Sequence, residues 1–576
     1  MELARWRGLV VPAWSVLLAL LLLGPALASG FVLTYDMVWV PDLALRPDAL
    51  GTGSGLPRAV PSDAVVAVLD EVVPGMVLQK LVLLGSLVVG GLGAARLAPR
   101  DSLVGALAAV TLWQWNPFVA ERLGLGHWPV LLGYAALPWL VGAARRWRTE
   151  GRAPAVLPLL VLVASLSASA GLATALVLLV LATRPEAAQV SRVVAVAVAA
   201  NAPWLVAGLL HAGAALSDPA GAAVFALADE GSLPGPLAAL GLGGAWNSEV
   251  LPGSRAGAAA WVTTGLLVLL VALGWRGWWQ RVGAREAGGL VVLWLVGWGT
   301  AVLTWAAPGA VGALAAAVPG AGVVRDGARI LVLCAPLLVG VAAQGVVEVR
   351  ALVARAWPGP VPGLPRFVVG AVLVVWPVTV LPDVAWGLGG RLEAVAYPAS
   401  YERAAEAVAE AGPGDVLVLP LSSFRAPAWN DGRTVLDPVG RYLGRDHVAS
   451  DELVVSGVVV AGEDPRVVQA REALAEPDPV ARSSALARIG IGVVVRDRTA
   501  PGGDDADAVE VAGSQLLAED LVVTEVAGGP GGAEVREPAV PRARAAATAA
   551  GWAAWLAVLG LAAWRGGRSM RATRYR

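Results

Sequence analysis

The sequence predicts an α-helical polytopic membrane protein of about 12 transmembrane helices, with an extracytoplasmic α/β domain before the last helix. Hydrophobic residues make up 57% of its 576 residues and charged residues only 15%, whereas an average soluble domain is roughly 25% charged. Apolar runs long enough to span a bilayer recur along the chain. One segment near the C-terminus breaks this pattern with many acidic residues.

Charge and composition exclude several classes of protein and site. The formal net charge of −1 argues against nucleic acid as a partner, and the apolar excess excludes a disordered chain. The single cysteine, Cys334, excludes a disulfide framework, a cysteine-based zinc site and an iron–sulfur cluster. The three histidines, His127, His211 and His447, are too scattered for a metal cage. We therefore expect no metal and no other cofactor.

Twelve runs approach the roughly 20 mainly apolar residues that a bilayer-spanning helix needs. They are residues 9–31, 76–97, 102–119, 129–144, 154–170, 171–186, 191–212, 258–275, 288–306, 329–347, 366–386 and 544–564. Arginines concentrate in the N-terminus, in the short loops after even-numbered helices and in the C-terminal tail, which is the positive-inside pattern. The protein is therefore expected in the cell membrane with both termini cytoplasmic. Tryptophans at predicted helix ends are expected to be interfacial anchors: Trp39, Trp128, Trp147 and Trp278.

The first apolar run also has features of a cleavable signal peptide. Arg5 and Arg7 precede it, and Ala26-Leu27-Ala28 has the small-residue pattern of a cleavage site. Cleavage would leave eleven helices and an external N-terminus. We favour an uncleaved helix because the apolar stretch is long for a signal peptide.

The twelve runs and the segments between them divide the chain into three parts. Residues 1–390 form a membrane core with two long external loops, 32–75 and 213–257. Residues 391–540 form an extracytoplasmic acidic α/β domain, and residues 541–576 form the final transmembrane helix and a basic cytoplasmic tail. Residue spacing in the external domain predicts helices at 401–411 and 466–489 and strands at 415–420, 490–495 and 521–525.

Two aspartates in the first external loop are candidate catalytic groups. Asp36 directly follows the first predicted helix, where a carboxylate can act as a general base, although a solvated interface residue is the alternative. Asp63 is the second choice. It begins a predicted amphipathic helix at 62–73, so Ser62 or Asp63 can instead be the N-cap of that helix.

Three basic residues near the external interface are candidate phosphate ligands. Lys80 is the only lysine in the chain, and its alternative role is a side chain that snorkels to the interface. Arg325 and Arg329 are four residues apart, so on one helical face they can grip a phosphate. A salt bridge from Asp326 to either arginine is the alternative.

A short external segment between two predicted helices concentrates polar side chains. Asn116-Pro117 ends one helix, and Gly126-His127-Trp128-Pro129 starts the next. The segment between carries candidate substrate-binding residues: Glu121, Arg122, His127 and Trp128. The alternatives are a structural Glu121–Arg122 pair and a His127 that bonds a helix end.

These motifs together resemble the GT-C glycosyltransferases of membranes. The resemblance rests on Tyr35-Asp36-Met37, the loop helix at 62–73, residues 116–122, Gly126-His127-Trp128 and residues 324–329. The strand-like run at 415–420 with Ala428-Trp429-Asn430 is similar to the YfhO-like branch of these enzymes. The composition, rich in Ala and Arg, is similar to actinobacterial arabinofuranosyl- and mannosyltransferases. The sequence departs from the family in one respect, because the first loop often holds paired acidic residues, whereas Asp36 stands alone.

The resemblance implies transfer of a sugar, with inversion, from a polyprenyl-phosphate donor to a cell-envelope glycan or lipid acceptor on the outer face. Asp36 would take the proton of the acceptor hydroxyl. Lys80, Arg325 or Arg329 would stabilise the departing lipid phosphate. The expected partners are membrane lipid, the lipid-linked sugar and the acceptor. In the outer domain, Trp429, Asn430 and Asp431 would contact a glycan or serve a structural role.

Two other functions fit parts of the same pattern. Twelve helices with both termini inside also describe many secondary transporters and flippases. The scarcity of ionisable residues deep in the helices, and the large external segment, argue against transport. A non-catalytic scaffold for envelope assembly is the third possibility, and it predicts that replacing Asp36 leaves function unchanged.

Overall fold

The computed structural model describes residues 2–53, 59–212, 218–356, 364–455, 457–462, 464–500, 509–529 and 542–574. Glycine and proline near 500–503 and 528–532 predict loops, and these two segments lie largely outside the described residues, as does the end of the basic tail. Within them, helices dominate the first 390 positions, and a small sheet lies between residues 415 and 526.

Eight helices in the described residues are long and apolar enough to cross a membrane. They are Arg7–Leu27, Gly75–Ala94, Leu103–Gly124, Ala187–Leu210, Ala258–Val282, Ala284–Ala306, Ala335–Ala356 and Arg542–Arg565. A ninth span results if the pair Leu364–Val380 and Pro382–Gly389, bent by 69°, is counted as one. The chain therefore has the helical architecture of a polytopic membrane protein.

The other three predicted spans coincide with helices that are too short or not apolar enough to cross a membrane in this way. Residues 154–170 and 171–186 contain the helices Leu157–Ala164 and Ala168–Leu181, of 8 and 14 residues. At 1.5 Å per residue neither covers a hydrocarbon core of roughly 30 Å. The helix Trp128–Glu150 has 23 residues but is less apolar and ends among arginines. The number of twelve spans stays a prediction.

The helix Ala258–Val282 exposes apolar side chains to its surroundings and contacts a neighbouring helix through small residues. In Ala258–Val282, Leu269 is 53% exposed, whereas Thr264 is buried. Gly274 of this helix packs so closely on Ala335–Ala356 that a Cβ atom there would lie 2.2 Å from the carbonyl oxygen of Val341. Close contact through small residues is typical of helix pairs in membranes.

Arginines at one end of the helical core donate hydrogen bonds to carbonyls at helix ends. Arg7 donates to Ala95 over 2.8 Å, and Arg281 donates to Leu97 over 3.0 Å. The remaining contacts of this kind run from Arg184 to Thr149, from Arg285 to Val180 and from Arg565 to Ala153. We call this region, with Arg7, Arg184, Arg281, Arg285 and Arg565, the arginine end. Four of these residues lie in segments predicted to be cytoplasmic, and Arg184 lies at the end of the predicted span 171–186 that leads into such a segment.

Residues 391–540, which were predicted to be extracytoplasmic and are called the external domain after that prediction, contain a mixed five-stranded sheet. Its order is Gly513–Ala518, Leu521–Val526, Ile491–Asp497, Asp415–Leu419 and His447–Val448. The last three strands are parallel, and the first two are antiparallel to their neighbours. Three of these strands lie where alternating and continuous apolar runs predicted them.

Helices cover both faces of this sheet, and its strand Asp415–Leu419 is apolar on both sides. Val416 and Val418 pack on the helix Ala399–Glu410, and Leu417 packs on the other face. The predicted helix at 466–489 is in fact two helices, Pro465–Leu474 and Pro479–Arg488. The break occurs because Asp478 caps the second helix and proline occupies its first position.

Short elements complete the described chain. The short helices are Pro47–Leu50, Ser62–Leu69, Ala220–Val224, Gly235–Leu240, Pro308–Ala317, Gly327–Ile330, Ala385–Gly389 and Val439–Tyr442. The short strands are Phe31–Val32, Ala394–Val395, Phe424–Arg425, Val435–Leu436, Leu453–Val455 and Val458–Val460.

The external domain is docked on the first external loop. Phe31–Val32 pairs with Ala394–Val395 in an antiparallel ladder. The backbone of Tyr35 donates to Thr434 and accepts from Leu436, each over 2.8 Å. These backbone bonds hold the start of the loop, which includes Asp36, against the domain.

Candidate functional site

Asp36 lies in a tight turn at the surface. Its backbone N–H donates to the carbonyl of Leu125 over 3.1 Å, and Met37 donates to Thr34 over 2.8 Å. The carboxylate side chain is 47% exposed. The turn therefore fixes the backbone of Asp36 while its carboxylate reaches solvent.

Gly126 allows the segment before His127 to touch this turn. It has a φ of +74°, and a Cβ atom there would lie 2.3 Å from the backbone nitrogen of Met37. Any larger residue would push the two segments apart. The close approach brings the next residue, His127, to the carboxylate of Asp36.

His127 is the centre of a charged cluster. Its Nε2 lies 3.1 Å from Oδ2 of Asp36 and 3.0 Å from Nη2 of Arg329. Its Nδ1 lies 3.1 Å from Nη1 of Arg122. A neutral imidazole that donates from Nε2 to Asp36 and accepts at Nδ1 from Arg122 satisfies two of these three contacts.

Asp326 completes the cluster by joining the two arginines. Its Oδ2 accepts from Nη1 of Arg122 over 3.0 Å and from Nε of Arg329 over 2.9 Å. Arg122 is fully buried, and its guanidinium also lies over the ring of Phe118. We call Asp36, Arg122, His127, Asp326 and Arg329 the Asp36 network.

Burial and charge set the protonation states inside the network. Burial, together with the Arg329 cation, lowers the pKa of His127 to about 4 against the opposing effect of Asp36. Burial alone would raise the pKa of Asp326, but Arg122 and Arg329 lower it to about 2. With Asp36 ionised, two carboxylates balance two guanidiniums around a neutral imidazole.

The exposed part of the network pairs a base with a cation. Arg329 is 34% exposed. Because Asp36 and Arg329 contact the same nitrogen of His127, the nearest atoms of their charged groups are at most about 6 Å apart. A carboxylate can accept a proton there while the guanidinium faces a developing negative charge.

The structure buries Glu121, which was predicted to bind substrate. Its carboxyl lies beside Glu230 and Arg255 and is 1% exposed. Glu230 accepts from Nε of Arg255 over 2.7 Å and from the backbone of Gly244 over 2.8 Å. Arg122 pairs with Asp326 and contacts His127, which does not support the alternative of a structural Glu121–Arg122 pair.

The other predicted acidic and aromatic candidates have structural contacts. Asp63 forms an ion pair of 2.7 Å with Arg441 of the external domain. Neither Asp63 nor Ser62 caps the helix Ser62–Leu69, whose N-cap is Pro61, so the capping prediction is wrong. Trp128 is 8% exposed, because its ring packs on Trp39 with 5.1 Å between centroids.

Two of the three predicted phosphate ligands, Arg325 and Lys80, have contacts with other parts of the molecule. The guanidinium of Arg325 lies 4.7 Å from the centroid of the Phe225 ring. The prediction that Arg325 and Arg329 share a helical face is wrong, since the helix Gly327–Ile330 begins after Arg325. Lys80 lies 3.5 Å from Gln79 and lines an apolar cavity of about 280 Å³ with Ser29 and Met76.

Sequence patterns missed some residues that build the site. Asp326 was considered only as a partner of its neighbours, yet it also reaches Arg122. The hydroxyl of Tyr35 donates to Glu249, and burial with this bond raises the pKa of Tyr35 to about 12. The only available signal for Glu249 was an isolated charge in a loop rich in Gly and Pro.

The motif at 428–430, for which glycan binding was an option, is structural. Asn430 is fully buried and donates to the carbonyl oxygens of Leu33 and Arg433. Trp429 packs between Tyr397 and Tyr401. The motif therefore helps to seat the external domain on the first loop.

Neither a grouped set of metal ligands in the described part of the chain nor a matching family is found. Among the residues that the structure describes, no three His, Cys, Asp or Glu side chains are grouped to hold a metal ion. Comparison with protein-family models finds no match, and comparison with curated proteins finds none either.

Proposed function

We propose that the protein is a membrane glycosyltransferase that moves a sugar from a polyprenyl-phosphate donor to a cell-envelope glycan or lipid acceptor. The observation that carries the proposal is the Asp36 network. It holds an exposed carboxylate within about 6 Å of an exposed guanidinium, at the end of the first long helix. An inverting transfer needs these two groups on opposite sides of one reacting carbon.

In the proposed reaction, Asp36 accepts the proton of the acceptor hydroxyl while the hydroxyl oxygen attacks the anomeric carbon of the donor sugar. The bond from that carbon to the phosphate oxygen breaks, and the phosphate leaves with the bonding electrons. Arg329 stabilises the charge on the leaving phosphate. His127 orients Asp36 by donating from Nε2, and Asp326 holds Arg329 in place.

Lys80 has a separate part in the proposal. It lies where the first two long helices meet, in a cavity lined mainly by Leu27, Met76, Leu81 and Leu84. Such a cavity suits an apolar chain, with the ammonium near the charged head. The methylene stem of Lys80 then contacts the apolar chain of the donor while its ammonium faces the headgroup, and Arg329 contacts the reacting phosphate.

The proposal includes an orientation in the cell membrane. Twelve spans with both termini cytoplasmic would put residues 391–540 and the Asp36 network on the outer face. The arginine end supports this orientation, because it gathers arginines from several segments at the opposite end of the helices.

The decisive experiment measures transfer from radiolabelled polyprenyl-phosphate sugars in membranes with matched amounts of each variant. Asp36→Asn is expected to lose roughly 100-fold or more of the transfer rate, as for removal of a general base. Asp42→Asn, a change at an exposed aspartate of the same loop, is the matched control and is expected to keep it. Loss in Asp63→Asn alone would move the base to Asp63. Equal activity of all variants would reject Asp36 as the base.

One observation favours transport as the second candidate function. Glu121 and Glu230 form a buried pair of carboxyl groups beside Arg255, and buried ionisable groups in membrane proteins often mark ion pathways. Transport predicts gradient-driven uptake into proteoliposomes that is lost in Glu121→Gln and kept in Asp36→Asn. Glycosyl transfer predicts instead that activity is lost in Asp36→Asn and kept in Glu121→Gln, and it needs no gradient.

A further inference from the structure

A concave basic pocket lies at the arginine end, away from every group in the proposed reaction. It has a volume of about 400 Å³ and is lined by Arg152, Arg192, Arg565, Trp147 and Trp564. The pocket lies where the helix Trp128–Glu150 ends and Ala187–Leu210 begins, against the last helix.

The backbone contacts of these arginines hold the pocket in shape. Arg565 donates from Nη1 to the carbonyl of Ala153 over 3.1 Å, which ties the last helix to the segment after Glu150. Arg192 donates from Nε to Ala188 over 3.0 Å within its own helix. Each contact uses one of the five N–H donors of a guanidinium, so several donors remain for a ligand.

The charge of the pocket selects an anion. Three guanidiniums line it, and none of its lining residues is acidic. Like charges this close repel one another, and a ligand with two or more negative charges relieves that repulsion. The planar fork of arginine matches the oxygens of a phosphate group.

The surroundings of the pocket point to a lipid as the source of that phosphate. On the same helices, Val194 is 40% exposed and Leu561 is 44% exposed, and Trp564 is 58% exposed at the rim. Apolar side chains beside a basic pocket at a helix end can contact acyl chains while the arginines bind the headgroup. We propose that this pocket binds a membrane lipid whose phosphate headgroup carries at least two negative charges.

The test uses the full chain purified in neutral detergent and measures its unfolding temperature during lipid titration. Phosphatidic acid is the probe, phosphatidylcholine is the neutral control lipid, and inorganic phosphate is the free anion. Phosphatidic acid is expected to raise the unfolding temperature of the wild type, with about fivefold weaker apparent affinity in Arg192→Gln. Arg276→Gln, a change at an exposed arginine elsewhere at this end, is expected to match the wild type.

Three results would overturn the proposal. The first is equal weakening in Arg192→Gln and Arg276→Gln, which would show general surface attraction. The second is equal stabilisation by inorganic phosphate, which would identify a soluble ligand. The third is equal stabilisation by phosphatidylcholine. If Arg192→Gln does not fold, Arg152→Gln gives the same test, and none of these readings depends on transferase activity.

Discussion

The two ends of the helical core use arginine in opposite ways. In the Asp36 network, Arg122 is fully buried and paired with the carboxylate of Asp326 at 3.0 Å. At the arginine end, the exposed Arg285 donates to the carbonyl of Val180 over 2.9 Å. One end thus buries both partners of an ion pair, whereas the other leaves its cations near solvent.

This difference predicts which end tolerates change. Removing one partner of a buried ion pair leaves an uncompensated charge and typically costs about 3–5 kcal/mol. An exposed arginine contact is typically worth less than about 1 kcal/mol. The network is therefore a fixed unit, while each residue of the arginine end contributes little by itself.

The largest expected effect comes from Asp326→Asn, which leaves Arg122 buried without its carboxylate. The free energy of unfolding is expected to fall by about 3–5 kcal/mol, measured by denaturant titration in detergent. Asp431→Asn is the matched control, since Asp431 is 68% exposed and pairs with Arg433 at 3.2 Å. Similar losses in the two variants would contradict the distinction between buried and exposed pairs.

The next largest effect is expected from acid, which should lower the folding stability through the Asp36 network. Burial and Arg329 lower the pKa of His127 from 6.5 to about 4 in the folded protein. Between pH 6.5 and pH 4, His127 is therefore protonated in the unfolded chain and neutral in the folded protein. Stability is therefore expected to fall as the pH drops through this window, by up to about 3 kcal/mol. Below pH 3.8, protonation of Asp326 in the unfolded chain adds to the loss.

The contribution of His127 is isolated by comparing unfolding of the wild type and His127→Gln from pH 7 to pH 4. His447 adds its own acid sensitivity, because burial and Arg46 lower its pKa to about 4 as well. The variant is expected to have the shallower pH dependence. Identical slopes would show that His127 titrates normally in the folded protein.

A smaller effect is expected from Tyr35→Phe, which removes the hydrogen bond to Glu249. The loss is expected to be about 1–2 kcal/mol, since the bond has a charged acceptor but is partly exposed. Transfer activity should also fall, because the neighbouring Asp36 is less firmly oriented. Tyr442→Phe is the comparison variant, because the ring of Tyr442 packs on Tyr397 and phenylalanine keeps that contact. A larger loss there would argue against this role of Tyr35.

The smallest effect is expected at the arginine end. Arg285→Gln removes one exposed hydrogen bond to Val180 and is expected to change stability by less than about 1 kcal/mol. Thermal unfolding in detergent measures the change. A loss comparable with that of Asp326→Asn would mean that the two ends are equally intolerant.

Local sequence patterns were sufficient for much of the fold. The strands predicted at 415–420 and 490–495 are found at Asp415–Leu419 and Ile491–Asp497, because their apolar character suits a sheet covered on both faces. Asp36, Arg122, His127 and Arg329 were selected because charges near a membrane are costly without a function or partner. The structure brings these four together.

Contacts between distant segments could not be predicted in this way. Asp326 and Arg122 are 204 residues apart, and their pairing depends on how separate helices pack. Trp39, Trp128, Trp147 and Trp278 were predicted as interfacial anchors, but all four are buried. Sequence shows how far along a helix a tryptophan lies, whereas its burial depends on which side of the helix meets a neighbour.

The docking of the external domain on the first loop sets an order of events during biosynthesis. Asn430, which bonds to Leu33, is synthesised 397 residues after it. At roughly 5–20 residues per second, the ribosome takes roughly 20–80 s to cover that distance. During this time the segment containing Asp36 has crossed or met the membrane without its final partners. A chain that terminates early keeps that segment unpaired and leaves it open to proteolytic quality control.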